Sequence, residues 1–206
     1  MDSKVGLFRK YALKNALNRK EDFQEFSGIR LRKLPSDCLA IFKLIHQCRP
    51  KVIVETGSQS GGSAVMFAAL AECMGLEEVI SLDIHDKPLP EHPRIKFIRG
   101  DSSSPEISAH VHELVGGRPC TVILDSNHFA DHVIKELRLY QDLVGKGQGL
   151  IVEDTHVDVL DFRIFRKTGG PLRALREYLK SDDSFIEADG VEPYVTTNYF
   201  GYLVRK

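Results

Sequence analysis

The sequence has almost no net charge: 28 Lys and Arg stand against 29 Asp and Glu over 206 residues, a formal balance of −1. That excludes a global field able to collect nucleic acid or anionic lipid, so partners must be recognised locally. Long apolar runs are missing too. None approaches the length needed to cross a bilayer, and the N-terminus has no uninterrupted apolar stretch of the signal-peptide type, so a cytoplasmic protein is expected. Cysteine is sparse and unpaired: Cys38, Cys48, Cys73 and Cys120 form no C-x-x-C motif. Buried free thiols in a reducing compartment are therefore expected rather than disulfides or a zinc site. No internal repeat and no low-complexity stretch is present. What remains is a 42% hydrophobic chain, long enough for one α/β domain with a full core and too short for two of ordinary size.

Residues 1–28 read as a basic helical segment, with Lys4, Arg9, Lys10, Lys14, Arg19 and Lys20 between Val5, Leu7, Phe8, Leu13 and Leu17. A helix docked on its own domain is the simpler reading, and a peripheral membrane contact is the alternative. Residues 29–206 read as the main domain. Ser36 or Asp37 caps a helix carrying Leu39, Ile41, Phe42, Leu44 and Ile45, which ends before Arg49-Pro50. Short apolar runs at 51–55, 79–83, 94–99, 121–125 and 150–154 alternate with helical patterns at 61–74, 105–115 and 130–143. This alternation predicts a Rossmann-like, doubly wound, mostly parallel sheet with helices on both faces. After a polar loop over 156–170 and a helix over 172–179, the runs 185–187 and 200–204 predict an antiparallel edge hairpin.

In such a sheet ligands bind beyond the carboxyl ends of the strands. Those ends carry Glu55, Asp83, Asp101, Asp125, Glu153 and Asp154, and six acids on one edge need either ligand hydroxyls or a metal to hold them. The loop Glu55-Thr56-Gly57-Ser58-Gln59-Ser60-Gly61-Gly62 follows the first run. Gly57 permits a tight turn, Gly61 and Gly62 open the backbone to a ligand at a helix N-terminus, and Ser63 is placed to bond there. The Gly-x-x-x-Gly-Gly spacing is not that of dinucleotide enzymes. It suits a methionine carboxylate, with Glu55 accepting from the ligand ammonium and Asp83 from ribose hydroxyls, so S-adenosylmethionine is the expected cofactor. A nicotinamide-dependent oxidoreductase and a non-catalytic S-adenosylmethionine-binding subunit are the alternatives.

Asp125, Glu153 and Asp154 offer the hard oxygens that magnesium or calcium prefers, with positions left for substrate, and His128 is within reach to act as general base. A zinc site from His128, His132 and Asp125 competes with this reading. Arg163, Arg166 and Lys167 read as solvated loop charges, with closure over an anionic acceptor as the alternative.

The succession Leu34-Pro35-Ser36-Asp37, Ile53-Val54-Glu55-Thr56-Gly57, Gly61-Gly62-Ser63, Gly100-Asp101-Ser102, Ile123-Leu124-Asp125-Ser126-Asn127-His128, Val152-Glu153-Asp154-Thr155 and Gly201-Tyr202-Leu203 resembles the cephalosporin hydroxylase or rhamnosyl O-methyltransferase family, from about Ile29 onward. The resemblance implies a Rossmann-like methyltransferase fold, S-adenosylmethionine, and Mg2+ held by Asp125, Glu153 and Asp154. It also implies His128 as base, and Glu55, Gly57, Ser63, Asp83, Asp101 and Ser102 lining the cofactor. The chain lacks a two-His-one-carboxylate iron signature, so the hydroxylase part of the family name does not transfer. The expected reaction is methyl transfer to a hydroxyl of a sugar or other small polyol. The segment 158–167 and the N-terminus depart from the family pattern; acceptor choice and any homo-oligomer contacts are expected there.

Overall fold

The computed structural model describes residues 10–14 and 24–206. It opens with a hairpin that the apolar pattern did not show: β1 (Gln24–Phe26) pairs antiparallel with β2 (Ile29–Leu31) across Ser27 and Gly28, both at positive φ. Strands of three residues are too short for a period of two to declare itself. The five longer apolar runs became β3 (Val52–Thr56), β4 (Glu78–Asp83), β5 (Ile95–Arg99), β6 (Cys120–Leu124) and β7 (Gly149–Val152), all parallel. β8 (Phe185–Glu187) and β9 (Tyr202–Arg205) add the expected antiparallel edge, in the order β5-β4-β3-β6-β7-β9-β8.

Alternation along β3, β6 and β7 sends side chains to two separate cores. Val54, Val122 and Val152 pack with Val133, Leu137, Tyr140 and Leu175 on one face, while Ile53, Ile123 and Ile151 pack with Ile41, Leu44, Ile45 and Phe67 on the other. The sheet is thus covered on both faces, as the continuous apolar runs required.

Several boundaries differ from the sequence reading. The first long helix is Pro35–Cys48 with Leu34 at its N-cap, so neither Ser36 nor Asp37 caps it. Asp37 is buried instead, accepting from Thr197 N at 3.0 Å, Thr197 Oγ1 at 2.7 Å, Tyr202 OH at 3.0 Å and Thr196 Oγ1. The helix expected over 61–74 is divided into Gly62–Ala69 and Ala71–Met74. The polar loop 156–170 holds a helical turn, His156–Val159, and a 3-10 turn, Arg163–Phe165. Asp158 fastens this loop to the next helix, Pro171–Ser181, accepting from the backbone N–H of Gly170, Leu172 and Arg173 at 2.7, 2.9 and 3.1 Å. Arg166 pairs with Asp161 at 3.0 Å.

Residues 10–14 are helical, and Leu13 is fully buried against Leu34 and Tyr199, which fits a helix docked on its own domain. The remaining residues of that expected basic helix, Lys4 to Arg9 and Leu17 to Lys20, lie outside the described residues. Cys38, Cys48 and Cys120 are buried free thiols as expected, whereas Cys73 is exposed. No helix among the described residues is long and apolar enough to cross a membrane.

Candidate active site

A cavity of about 600 Å³ lies over the carboxyl ends of the parallel strands, lined by Gly57, Gln59, Asp83, Ile84, Asp101, Ser102, Asp125, His128, His132 and Asp154 among others. This volume and place are those of a small-molecule site in an open α/β sheet. Of the expected site residues, Gly57, Asp83, Asp101, Ser102, Asp125, His128 and Asp154 meet in it. Ser58 and Ser63 line a smaller recess that also contains Lys33, Gly62 and Asp125.

The loop after β3 owes its glycines to the chain's own packing. Gly57 has φ +90°, and a Cβ there would lie 2.1 Å from the Asp125 carbonyl oxygen. At Gly61 the space is taken by Pro90 and Phe97, and at Gly62 by the Arg30 carbonyl of β2. At these two residues the missing side chain makes room for protein atoms, and Gly62 also lines the smaller recess. Asp83 accepts from Gln59 N of the loop after β3 at 2.8 Å and from His85 N of its own turn at 2.9 Å, with Lys87 Nζ 3.4 Å away. Asp101 accepts from the Ser103 N–H and hydroxyl, both at 2.8 Å, and these bonds lower its pKa.

Glu55 is fully buried under the loop, where burial raises its pKa. Its Oε2 accepts from Ser81 Oγ at 2.8 Å, and its Oε1 has no hydrogen-bond partner among the described residues. An orphaned buried acceptor calls for an external donor.

The opposite wall is built by β6 and β7. Glu55, Asp125 and Glu153 continue the alternation of Ile53, Ile123 and Ile151, so all three acids fall on one face of the sheet. Lys33, which follows β2, enters from that face with its side chain 2% exposed. Its Nζ lies 2.9 Å from Asp125 Oδ2 and 2.7 Å from both oxygens of Glu153. Burial works against the Lys33 charge, but Asp125, Glu153 and Glu55 outweigh it and hold the pKa well above the usual lysine range. Burial pushes Asp125 up, yet Lys33 and His128 bring it down to about 2.

On the cavity side, His128 Nε2 lies 3.5 Å from Asp125 Oδ1 and 3.3 Å from Asp154 Oδ2. Burial lowers the His128 pKa, but these two carboxylates raise it to about 9. Asp154 sits in the left-handed region at φ +53°, its N–H donating to the buried Asn198 Oδ1 at 2.9 Å. Burial and Asp125 raise its pKa. Ligand atoms of Asp125, His128 and Asp154 all lie within 4.8 Å of one another, an arrangement able to hold a cation. Glu153 stands next to this group with both oxygens on Lys33.

The rival zinc set does not assemble. His132 Nε2 turns to Ser126 Oγ at 3.1 Å, Ser102 Oγ at 3.3 Å and the buried Glu136 at 3.5 Å, away from the group around His128. Sequence reasoning missed Lys33, Glu136 and Asn198. A lysine before Leu-Pro and an asparagine in a late loop carry no spacing signal, and only burial beside distant partners marks them; Glu136 stands four residues after His132 on one helix, a spacing that marks the pair.

A mostly parallel sheet with this strand order and a cavity over its carboxyl ends is a Rossmann-like α/β architecture. A family model described as Rhamnosyl O-methyltransferase/CmcI matches residues 19–206. The chain belongs to this family of O-methyltransferases. It is 31% identical over 191 residues to a rhamnosyl O-methyltransferase of Mycobacterium leprae (strain TN), covering 87% of this chain and 82% of that protein. It is 30% identical over 140 residues to one of Mycobacterium bovis (strain BCG / Pasteur 1173P2), covering 65% and 57%. Among solved structures, CmcI with Mg and SAM superposes at TM-score 0.71 with 22% identity, covering 91% of this chain and 78% of that one. CalS11, a TDP-rhamnose 3'-O-methyltransferase, gives 0.59 at 16% identity, covering 99% and 94%. At these identities the superpositions speak for the fold.

Proposed function

We propose that the chain transfers the methyl group of S-adenosylmethionine to a hydroxyl of a sugar, or of another small polyhydroxylated metabolite, assisted by a magnesium-type ion at Asp125, Glu153 and Asp154. The observation that carries this reading is His128 Nε2, set between Asp125 and Asp154 at the cavity wall opposite Asp83 and Asp101. The names of the curated relatives support a sugar hydroxyl as acceptor, and solved neighbours described with Mg and SAM or SAH support both cofactors.

The residues fit these groups. The orphaned Glu55 Oε1 suits the ammonium of a methionine moiety, and the recess beside Ser58 and Ser63 is polar. Asp83 would accept from ribose hydroxyls, while Asp101 and Ser102 line the cavity nearby. The ion, when bound, supplies Lewis acidity to an acceptor oxygen and a positive charge that lowers the His128 pKa from about 9. His128, set beside the two aspartates, would then serve as general base for the hydroxyl proton. The cavity walls would hold the acceptor oxygen near the donor methyl group, and such positioning is worth roughly 7–11 kcal/mol in favourable intramolecular cases. The three buried free thiols support a cytoplasmic location.

The test is a panel of TDP-linked and glycosidic 6-deoxyhexoses with S-adenosylmethionine and Mg2+, read by mass spectrometry. One-methyl products that disappear with EDTA are expected. Binding of S-adenosylhomocysteine with no product from any hydroxylated acceptor would favour a non-catalytic cofactor-binding subunit instead.

A further inference from the structure

The acids of the proposed metal site already have a cation. Lys33 Nζ meets Asp125 Oδ2 at 2.9 Å and both oxygens of Glu153 at 2.7 Å, almost out of reach of solvent. The segment that delivers it is held in place: the Arg30 carbonyl of β2 lies so close over Gly62 that a Cβ there would come within 2.3 Å. Asp125 therefore divides its two oxygens, Oδ2 to Lys33 and Oδ1 toward His128, while Glu153 gives both to Lys33. Lone pairs turned to an ammonium are the same lone pairs that a divalent ion needs, and two cations sharing a carboxylate repel strongly where solvent is excluded.

We infer that Lys33 is a resident counter-cation of the metal site, which offsets one of the two negative charges of Asp125 and Glu153 before a divalent ion binds and weakens the binding of that ion by competing for the same two carboxylates. This rests on the metal reading above and adds a residue to it. A lysine that merely braced the site would make the opposite prediction, since its removal would loosen the carboxylates and weaken metal binding. As counter-cation it lowers metal affinity, and in return it spares the metal-free protein an uncompensated acidic cluster.

The test is titration of the full chain with Mn2+ as probe, with and without S-adenosylhomocysteine, by calorimetry and by the shift in Tm. Lys33→Met and Lys33→Gln are each expected to bind Mn2+ about tenfold more tightly than wild type or better. Both should melt earlier without metal and gain more Tm from it. Lys33→Arg, which keeps the charge, stays near the wild-type affinity. If Lys33→Met does not fold, Lys33→Gln decides, since its amide still donates to Glu153. Equal or weaker Mn2+ binding in the neutral variants, with binding intact in wild type, overturns the inference alone. No Mn2+ binding by wild type in either condition overturns the metal reading and the inference together.

Discussion

The two walls of the cavity manage acidic residues in opposite ways. Over β4 and β5, Asp83 and Asp101 are satisfied by neighbours two residues away, His85 and Ser103, with Gln59 N reaching over from the adjacent loop. Over β6 and β7, Asp125 and Glu153 depend on Lys33, which is 92 and 120 residues distant in the chain. The first wall is an edge of turns whose carboxylates are held by backbone N–H and hydroxyl donors, with Lys87 Nζ 3.4 Å from Asp83 and Asp101 exposed. On the second, Lys33 and Glu153 are sealed from solvent and each stands because the other meets it, while Asp125, His128 and Asp154 open to the cavity. One wall is thus suited to reading a polar cofactor, the other to concentrating charge for chemistry.

The largest effect should come from the sealed wall. Asp125→Ala takes one of the two carboxylates from Lys33 and one of the two beside His128. We expect a loss of about 3 kcal/mol in urea denaturation, and a fall in methyl transfer of roughly 100-fold or more. A variant that kept wild-type turnover would break the division between the walls. Gly57→Ala strikes where the walls join, because its Cβ would meet the Asp125 carbonyl at 2.1 Å from a backbone at φ +90°. Roughly 2–3 kcal/mol of stability should be lost, and an unchanged denaturation midpoint would show that the contact relaxes freely.

On the open wall, Asp83→Asn should weaken S-adenosylhomocysteine binding about tenfold by removing a charged acceptor. Mn2+ affinity, measured in the same titrations, should not move. If both constants changed together, the walls would not act separately. The smallest effect is expected at the exposed pair of Arg99 and Asp86, 2.8 Å apart. Asp86→Ala should shift thermal unfolding by less than about 0.5 kcal/mol equivalent.

The same contrast explains which parts could be read in advance. Parallel strands announced themselves as β-branched runs ending in acids, and the glycine loop after β3 announced its turn. Asp83, Asp101, Asp125, His128 and Asp154 were legible because topology alone sends strand ends to one edge. The β1–β2 hairpin was not, since three residues hold too little pattern. Gly61 and Gly62 were read as openings for a ligand, but whether a bare Cα faces a ligand or another strand is a question of packing. His132 shares a helical face with His128 by spacing, yet Glu136 in the adjoining core turns it elsewhere.

By itself, then, the sequence determined the sheet, its polarity and the edge over which the cavity opens, because these follow from periodicity and local turn chemistry, while the order of its motifs carried the resemblance to the family. Only the tertiary structure decided how the acids are neutralised. Lys33 on Asp125 and Glu153, Asn198 on the Asp154 backbone and Asp37 on Thr197 and Tyr202 are pairings between distant segments. A buried charge selects its partner by proximity in a low-dielectric interior, and nothing in the local order of residues records that proximity.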